Sequence, residues 1–202
     1  ADWIVAQGPV TDDWYAYALG MAGRTVDGGY LDYAAQQVQQ LHNPPPTAYA
    51  RLIMGITAAG GNPGDVNGVN LLEMLYNDPS LSAKPTNGLI FALLAFDSGA
   101  HPIPPGAVWI RDRLVDELLA KQIPNQGWAL YDDDQEAGID LTGAALWALA
   151  PYRYRNDVAD AIRTAALWLA SRLKNNGDFT DDRSDSNAAA MALLGLSASG
   201  FD

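Results

Sequence analysis

The chain has 202 residues, 49% of them hydrophobic, so it is long enough for a domain with a real core and too apolar for a disordered segment. Its 24 acidic against 12 basic residues give a net charge of −12, a field that repels nucleic acid and anionic lipid while leaving cations and neutral ligands open. Cysteine is absent, which excludes disulfides, thiolate nucleophiles and Cys-based zinc sites, and no run of about 18 apolar residues is available to cross a membrane.

In chain order, the opening Ala1-Asp2-Trp3 lacks the basic stretch of a leader peptide, as expected of a mature secreted protein or an excised piece. Residues 1–7 read as the tail of an outer helix. Five segments then share one character: 11–23, 46–60, 84–99, 139–151 and 184–200. Each starts with a small polar or acidic residue, runs through small and apolar positions, and ends near Gly or Pro. Such helices are apolar around most of their circumference and must be covered on several sides. Between them lie helices with a single apolar stripe: Leu31, Ala34, Val38 and Leu41; Val69, Leu72 and Leu75; Ile110, Leu114 and Leu118; and Val158, Ile162, Ala165, Leu169 and Leu173. No convincing period-two pattern of a strand interrupts this alternation.

Aligned on Asp13, Thr47, Thr86, Thr142 and Asn187, the five apolar helices recur at steps of 34, 39, 56 and 45 residues. This is a degenerate helical-hairpin repeat, its longest step holding the loop 122–138. A buried inner layer shielded by an amphipathic outer layer, with antiparallel neighbours, is the expected arrangement.

Three loops carry a polar-Gly-aromatic signature: Asp27-Gly-Gly-Tyr30, Gln122-Ile-Pro-Asn-Gln-Gly-Trp128 and Asn175-Asn-Gly-Asp-Phe179. The second precedes Asp140-Leu-Thr-Gly-Ala-Ala-Leu-Trp-Ala-Leu149, and Thr86-Asn-Gly-Leu-Ile-Phe-Ala-Leu-Leu-Ala95 is of the same kind. Together these resemble the prenyltransferase and squalene-oxidase repeat. The resemblance spans nearly the whole chain and is closest to bacterial cell-surface proteins that carry such repeats with no assigned activity. It implies an all-α fold, a partial α/α toroid of the terpenoid cyclase-like kind, as one domain over residues 1–202. In that family the Gln packs on a helix end, the aromatic ring stacks at the hairpin junction, and the Gly permits a tight turn.

The catalytic sets of the family are missing. The acidic runs Asp132-Asp-Asp134 and Asp178-Phe-Thr-Asp-Asp182 lack the spacing of the cyclase D-x-D-D motif and read as solvated turns. Asp132, Asp133, Asp134 and Glu136 are a weak set of hard-oxygen ligands for Ca²⁺ without EF-hand spacing. His42 and His101 each sit beside prolines and suit turns better than ligation. No metal site or cofactor is therefore expected.

A hydrolase or lyase acting on a glycan is the alternative with the most support. It would use carboxylates at inner-helix starts, namely Asp12, Asp13, Asp140 and Asp185, although capping accounts for each of them, as it does for Thr47, Thr86, Thr142 and Asn187. Corrinoid binding and a terpene cyclase-like activity are further alternatives. The favoured expectation is a non-catalytic module of a secreted or cell-surface protein, binding a small molecule, a glycan or a protein, with flanking domains in a longer chain. Its candidate site combines Asp12, Asp13, Trp14, Tyr17, Tyr49, Tyr131, Asp140 and Asp185. Trp128 and Trp147 are expected to serve hairpin packing.

Overall fold

The computed structural model describes residues 1–83, 85–174, 177 and 186–201. Among the described residues the chain is all-helical. It has ten α-helices: α1 (Asp2–Ala6), α2 (Asp13–Met21), α3 (Gly29–Gln40), α4 (Pro46–Ala58), α5 (Leu71–Tyr76), α6 (Asn87–Asp97), α7 (Arg111–Ala120), α8 (Ile139–Leu149), α9 (Asn156–Arg172) and α10 (Ser186–Ser199). An isolated bridge joins Val66 and Val69 around Asn67-Gly68, both at positive φ. All five expected apolar helices are present as α2, α4, α6, α8 and α10, and the four striped segments as α3, α5, α7 and α9.

Local chemistry sets the helix ends. The Asp12 carboxylate accepts the backbone N–H groups of Trp14 and Tyr15 at 2.9 and 3.1 Å, and Asn70 accepts that of Glu73 at 3.0 Å. Pro46 opens α4, where its missing N–H costs nothing. Four apolar helices stop the same way. A residue at positive φ (Gly23, Gly60, Ala100 or Gly200) is followed by an N–H donating five residues back, from Arg24, Gly61, His101 and Phe201 respectively. This closing turn satisfies carbonyls that the helix leaves open.

The expected capping role does not extend to Thr47 or Thr142, whereas Thr86 sits at the cap position just before α6. Pro45 is the residue before α4, and Thr47 lies within the helix. Thr142 is also inside its helix, fully buried, with its hydroxyl used elsewhere.

The fold divides into two compact units. One is Ala1–Leu81 with Phe91–Arg111; the other is Ser82–Ile90 with Asp112–Asp202. In the first unit α2 packs on α4, with Gly20 at the contact, where an added methyl would lie 2.8 Å from Ala58 Cβ. Trp109 is fully buried there and donates its indole N–H to the Asp78 carbonyl at 2.6 Å. In the second unit α8 packs on α9 and α10. Gly143 and Gly195 bring the α8 and α10 backbones so close that a side chain on either would strike the other helix's main chain.

Burial differs among the apolar helices. Along α8 both sides are covered, from Ile139 through Leu149. On α2 only Ala16 and Leu19 are buried, and on α10 only Ala188, Ala192, Gly195 and Ser199. The uniform burial expected of an inner layer therefore fails for α2 and α10, because a helix packed from one side protects only that side.

Candidate functional site

The candidate residues fall into both units. Asp12, Asp13, Trp14, Tyr17 and Tyr49 belong to the first, and Tyr131 and Asp140 to the second. Asp185 lies outside the described residues, as do Phe179 and the acidic run that begins at Asp178.

The start of α2 gathers the most chemistry. Asp12 is exposed and serves as the helix cap. Asp13, one residue on, is half-buried and meets a different partner, the Tyr30 hydroxyl, which donates to its Oδ1 at 2.9 Å. Burial raises the Asp13 carboxyl above the ordinary 3.8. The bond from Tyr30 and the charge of Arg51 pull it back, and Asp12 pushes it up again. Tyr30 is fully buried, and its phenol is raised steeply by burial and by the facing carboxylate. Gly55 makes room for this pair, because a methyl there would land on the Tyr30 hydroxyl. Tyr33, next to Tyr30 with ring centroids 6.1 Å apart, is also raised by burial and then by Asp13 and Asp12.

The next residue, Trp14, stands half-buried between two edge-on rings, Tyr17 at 6.5 Å and Phe91 at 5.6 Å. Burial pushes the Tyr17 hydroxyl up. The result is a partly open aromatic face next to two adjacent carboxylates. Such a face stacks on flat apolar or sugar surfaces, and Asp12 supplies acceptors for hydroxyl or cationic groups. Tyr49 is half-buried on α4; its hydroxyl is raised by burial and by Asp78.

In the second unit, Tyr131 is exposed in the loop before α8 and Asp140 is half-exposed in the first turn of that helix. The acidic loop is tied to its neighbours. Lys121 Nζ donates to Asp132 at 2.5 Å, Asp134 accepts the Tyr131 N–H at 3.1 Å, and Arg172 pairs with Glu136 at 2.9 Å. Among the described residues no three His, Asp or Glu converge as metal ligands.

Glutamine, glycine and tryptophan form a structural lock at the start of α8. Gln122 Nε2 donates to the Ala161 carbonyl at 3.0 Å, tying the loop to α9. Trp128 is fully buried and donates its indole N–H to the Leu118 carbonyl at 2.6 Å. Its backbone N–H donates to the Thr142 hydroxyl at 3.1 Å. Gly127 is needed because a methyl there would collide with Thr142, and its φ is not positive. The glycine thus serves close approach, and the tight turn expected of it is not what it provides. Trp147, expected beside Trp128 as packing, is half-buried on α8.

The two histidines have unlike roles. His42 Nδ1 contacts the Gln40 carbonyl two residues back, a turn contact as expected. His101 reaches across 44 residues to Thr57 Oγ1 at 2.9 Å. Thr57 gives its one hydroxyl proton to the Ile53 carbonyl at 2.6 Å, so His101 Nε2 is the protonated nitrogen and donates to it. Burial, then Arg111, lowers the His101 pKa below the ordinary 6.5. This tertiary bond has no local sequence signal.

Compared with family models, with curated proteins and with solved structures, the chain gives no match.

Proposed function

We propose that this chain is a non-catalytic binding module of a secreted or cell-surface protein, built as part of an α/α toroid of prenyltransferase-like repeats. Its ligand face is the start of α2. The observation that carries this reading is the half-open Trp14, edge-on to Tyr17 and Phe91, immediately beside Asp12 and Asp13. A large ring held rigid by two others and left partly exposed offers contact area at low entropic cost. The toroid arrangement is supported by the alternation of apolar and striped helices and by the Gln-Gly-Trp lock before α8.

A glycan hydrolase or lyase is the second reading, and one observation favours it: Asp13 has the raised carboxyl that a general acid requires. Against it, Asp12 is occupied as a cap and Asp13 is held by Tyr30, so neither is free to act as a partner base.

The test is a thermal-shift screen against Ca²⁺, glycan fragments, isoprenoid lipids and cobalamin, repeated on Trp14→Ala. A ligand held only by the folded chain adds about 2.7 kcal/mol of stability at a hundred times its Kd. A shift with one class that Trp14→Ala abolishes supports the site. A shift that survives Trp14→Ala moves the site elsewhere. Turnover of a glycan fragment, lost in Asp13→Asn, establishes the enzyme reading instead.

A further inference from the structure

The dipeptide Asn-Gly occurs three times, at 67–68, 87–88 and 176–177. A glycine after asparagine has no side chain to keep its backbone nitrogen away from the asparagine side-chain carbonyl, so that nitrogen can close a cyclic imide. In a folded chain the nitrogen must first leave its hydrogen-bond acceptor, and the local backbone must be free to turn. The structure separates the first two pairs on both counts; Asn176 lies outside the described residues.

At 87–88 the pair opens α6. Gly88 is buried, its N–H donates to the Pro85 carbonyl at 2.9 Å, and Leu89 and Ile90 follow it into the core. Turning this backbone means unwinding the first turn of a buried helix. At 67–68 the pair is the tip of a tight turn, closed by Val66 and Val69, whose N–H groups donate to each other's carbonyls at 2.9 and 3.1 Å. Asn67 and Gly68 are both exposed. The Gly68 N–H donates to a side chain, the exposed Asp65 carboxylate, at 2.9 Å, and that acceptor is free to swing away. Beyond its chain neighbours, Gly68 has no atom within 4 Å of where a Cβ would stand. Asn67 is held at φ 53°, a left-handed conformation that residues with a Cβ disfavour, so opening the turn relieves strain.

We infer that Asn67 is a site of spontaneous deamidation and isoaspartate formation, and that Asn87 is protected by its helix. The Gly68 nitrogen attacks Asn67 Cγ. The new N–Cγ bond forms, the side-chain amide leaves as ammonia with the proton from the Gly68 nitrogen, and the imide results. Water then opens the imide at either carbonyl, leaving an aspartate or an isoaspartate at position 67. In the isoaspartate the main chain runs through the former side chain and is longer by one carbon, so the paired bonds of Val66 and Val69 lose their register. A new carboxylate also stands near Asp65. This loop leads straight into α5: the Leu71 N–H donates to the Pro63 carbonyl at 3.0 Å, and Asn70 caps the helix. Conversion therefore loosens the entry to α5. The site does not depend on the ligand face at α2.

The folded 202-residue chain is held in mildly alkaline buffer below its melting temperature, beside a sample unfolded in urea, and both are digested in acid at intervals. Mass spectrometry follows the gain in mass from replacing amide by acid at each asparagine, and main-chain fragmentation distinguishes isoaspartate from aspartate. In the folded chain Asn67 is expected to convert at least about tenfold faster than Asn87, with the rates drawing together in urea, because only local opening separates the sites. Isoaspartate is expected in excess of aspartate, and hydrogen exchange at the start of α5 should quicken as it accumulates. Asn67→Gln, at an exposed turn position, should abolish the gain in fragments spanning 62–77. Equal rates at Asn67 and Asn87 in the folded chain overturn the inference. Aspartate without isoaspartate overturns it too, since water would then have attacked the side chain directly. So does a mass gain that persists in Asn67→Gln, which would belong to Asn62, Asn70 or Asn77.

Discussion

The two units solve one packing problem with different chemistry. In each, a glycine gives up its side chain so that a buried aromatic residue can make a hydrogen bond. In the first unit Gly55 clears space for Tyr30, whose hydroxyl donates to Asp13. In the second Gly127 clears space for Thr142, which holds the backbone of Trp128 while the indole donates to the Leu118 carbonyl. The second lock is made of neutral groups. The first ends on a carboxyl that burial has raised and that titrates. The contrast separates a purely structural device from one whose strength depends on pH. The titratable lock is also the one beside the aromatic face proposed to bind ligand.

The glycines give the largest effects. Gly127→Ala and Gly55→Ala should each cost about 3 kcal/mol, the upper end of ordinary overpacking, since Thr142 and Tyr30 are both fully buried and have nowhere to move. Chemical denaturation measures the loss, and hydrogen exchange resolved by peptide assigns it to a unit. If Gly55→Ala were tolerated, the parallel between the locks would end there.

The ring donors come next. Trp128→Phe leaves the Leu118 carbonyl without its partner and vacates part of the indole volume, at about 2 kcal/mol. Tyr30→Phe removes a hydroxyl but leaves Asp13 half-exposed and able to recruit water, so about 1 kcal/mol is expected. The Trp128 loss should be the same from about pH 4 to about pH 8, and the Tyr30 loss should not. Equal pH dependence in both variants would erase the distinction between the units.

Ala100 tests the helix ends of the first unit. It adopts φ 48° at the position where α2, α4 and α10 have glycine. The left-handed conformation costs a residue with a Cβ about 1 kcal/mol, so Ala100→Gly should stabilise the chain by up to that amount. A melting curve reads the change. No gain would mean that the turn is held by the Thr57–His101 bond rather than by its own φ preference.

The residues explain what could be seen from sequence. Every apolar or striped segment became a helix, because a run such as Thr86 to Ala95 has one period and no competing signal. The closing turns were marked by Gly23, Gly60 and Gly200. Side-chain roles were harder. Asp12 and Asp13 look alike in sequence, yet one caps its helix and the other meets a tyrosine 17 residues away. Thr142 occupies a capping type of position in the repeat but reaches back 14 residues to Trp128. Phe91 joins Trp14 from a helix far along the chain. Each miss is a tertiary contact, and local periodicity carries no record of which neighbour a side chain will meet. The exposure of α10 was hidden for the same reason: composition says that a helix needs covering, and only packing says whether it is covered.

The smallest effect tests the sign of the contrast. Asp13 binds its proton more tightly in the folded chain than in the unfolded one, because burial outweighs the Tyr30 bond and the attraction to Arg51. Its contribution to stability is therefore fully present below the unfolded value of 3.8 and is lost as pH rises through the folded value. At neutral pH the ionised carboxylate is a net cost. Asp13→Asn keeps an oxygen to accept from Tyr30 and removes the charge, so the variant should melt slightly higher than the parent near neutral pH. The difference should shrink toward zero as pH falls to 3.8 and the parent's own carboxyl takes up its proton. His101 titrates in both proteins and cancels from the comparison. A lower melting point for Asp13→Asn near neutral pH would mean that Tyr30 and Arg51 together hold the carboxylate better than burial penalises it. The first lock would then be an ionic anchor stable at neutral pH, with no more pH response above 3.8 than the lock at Trp128.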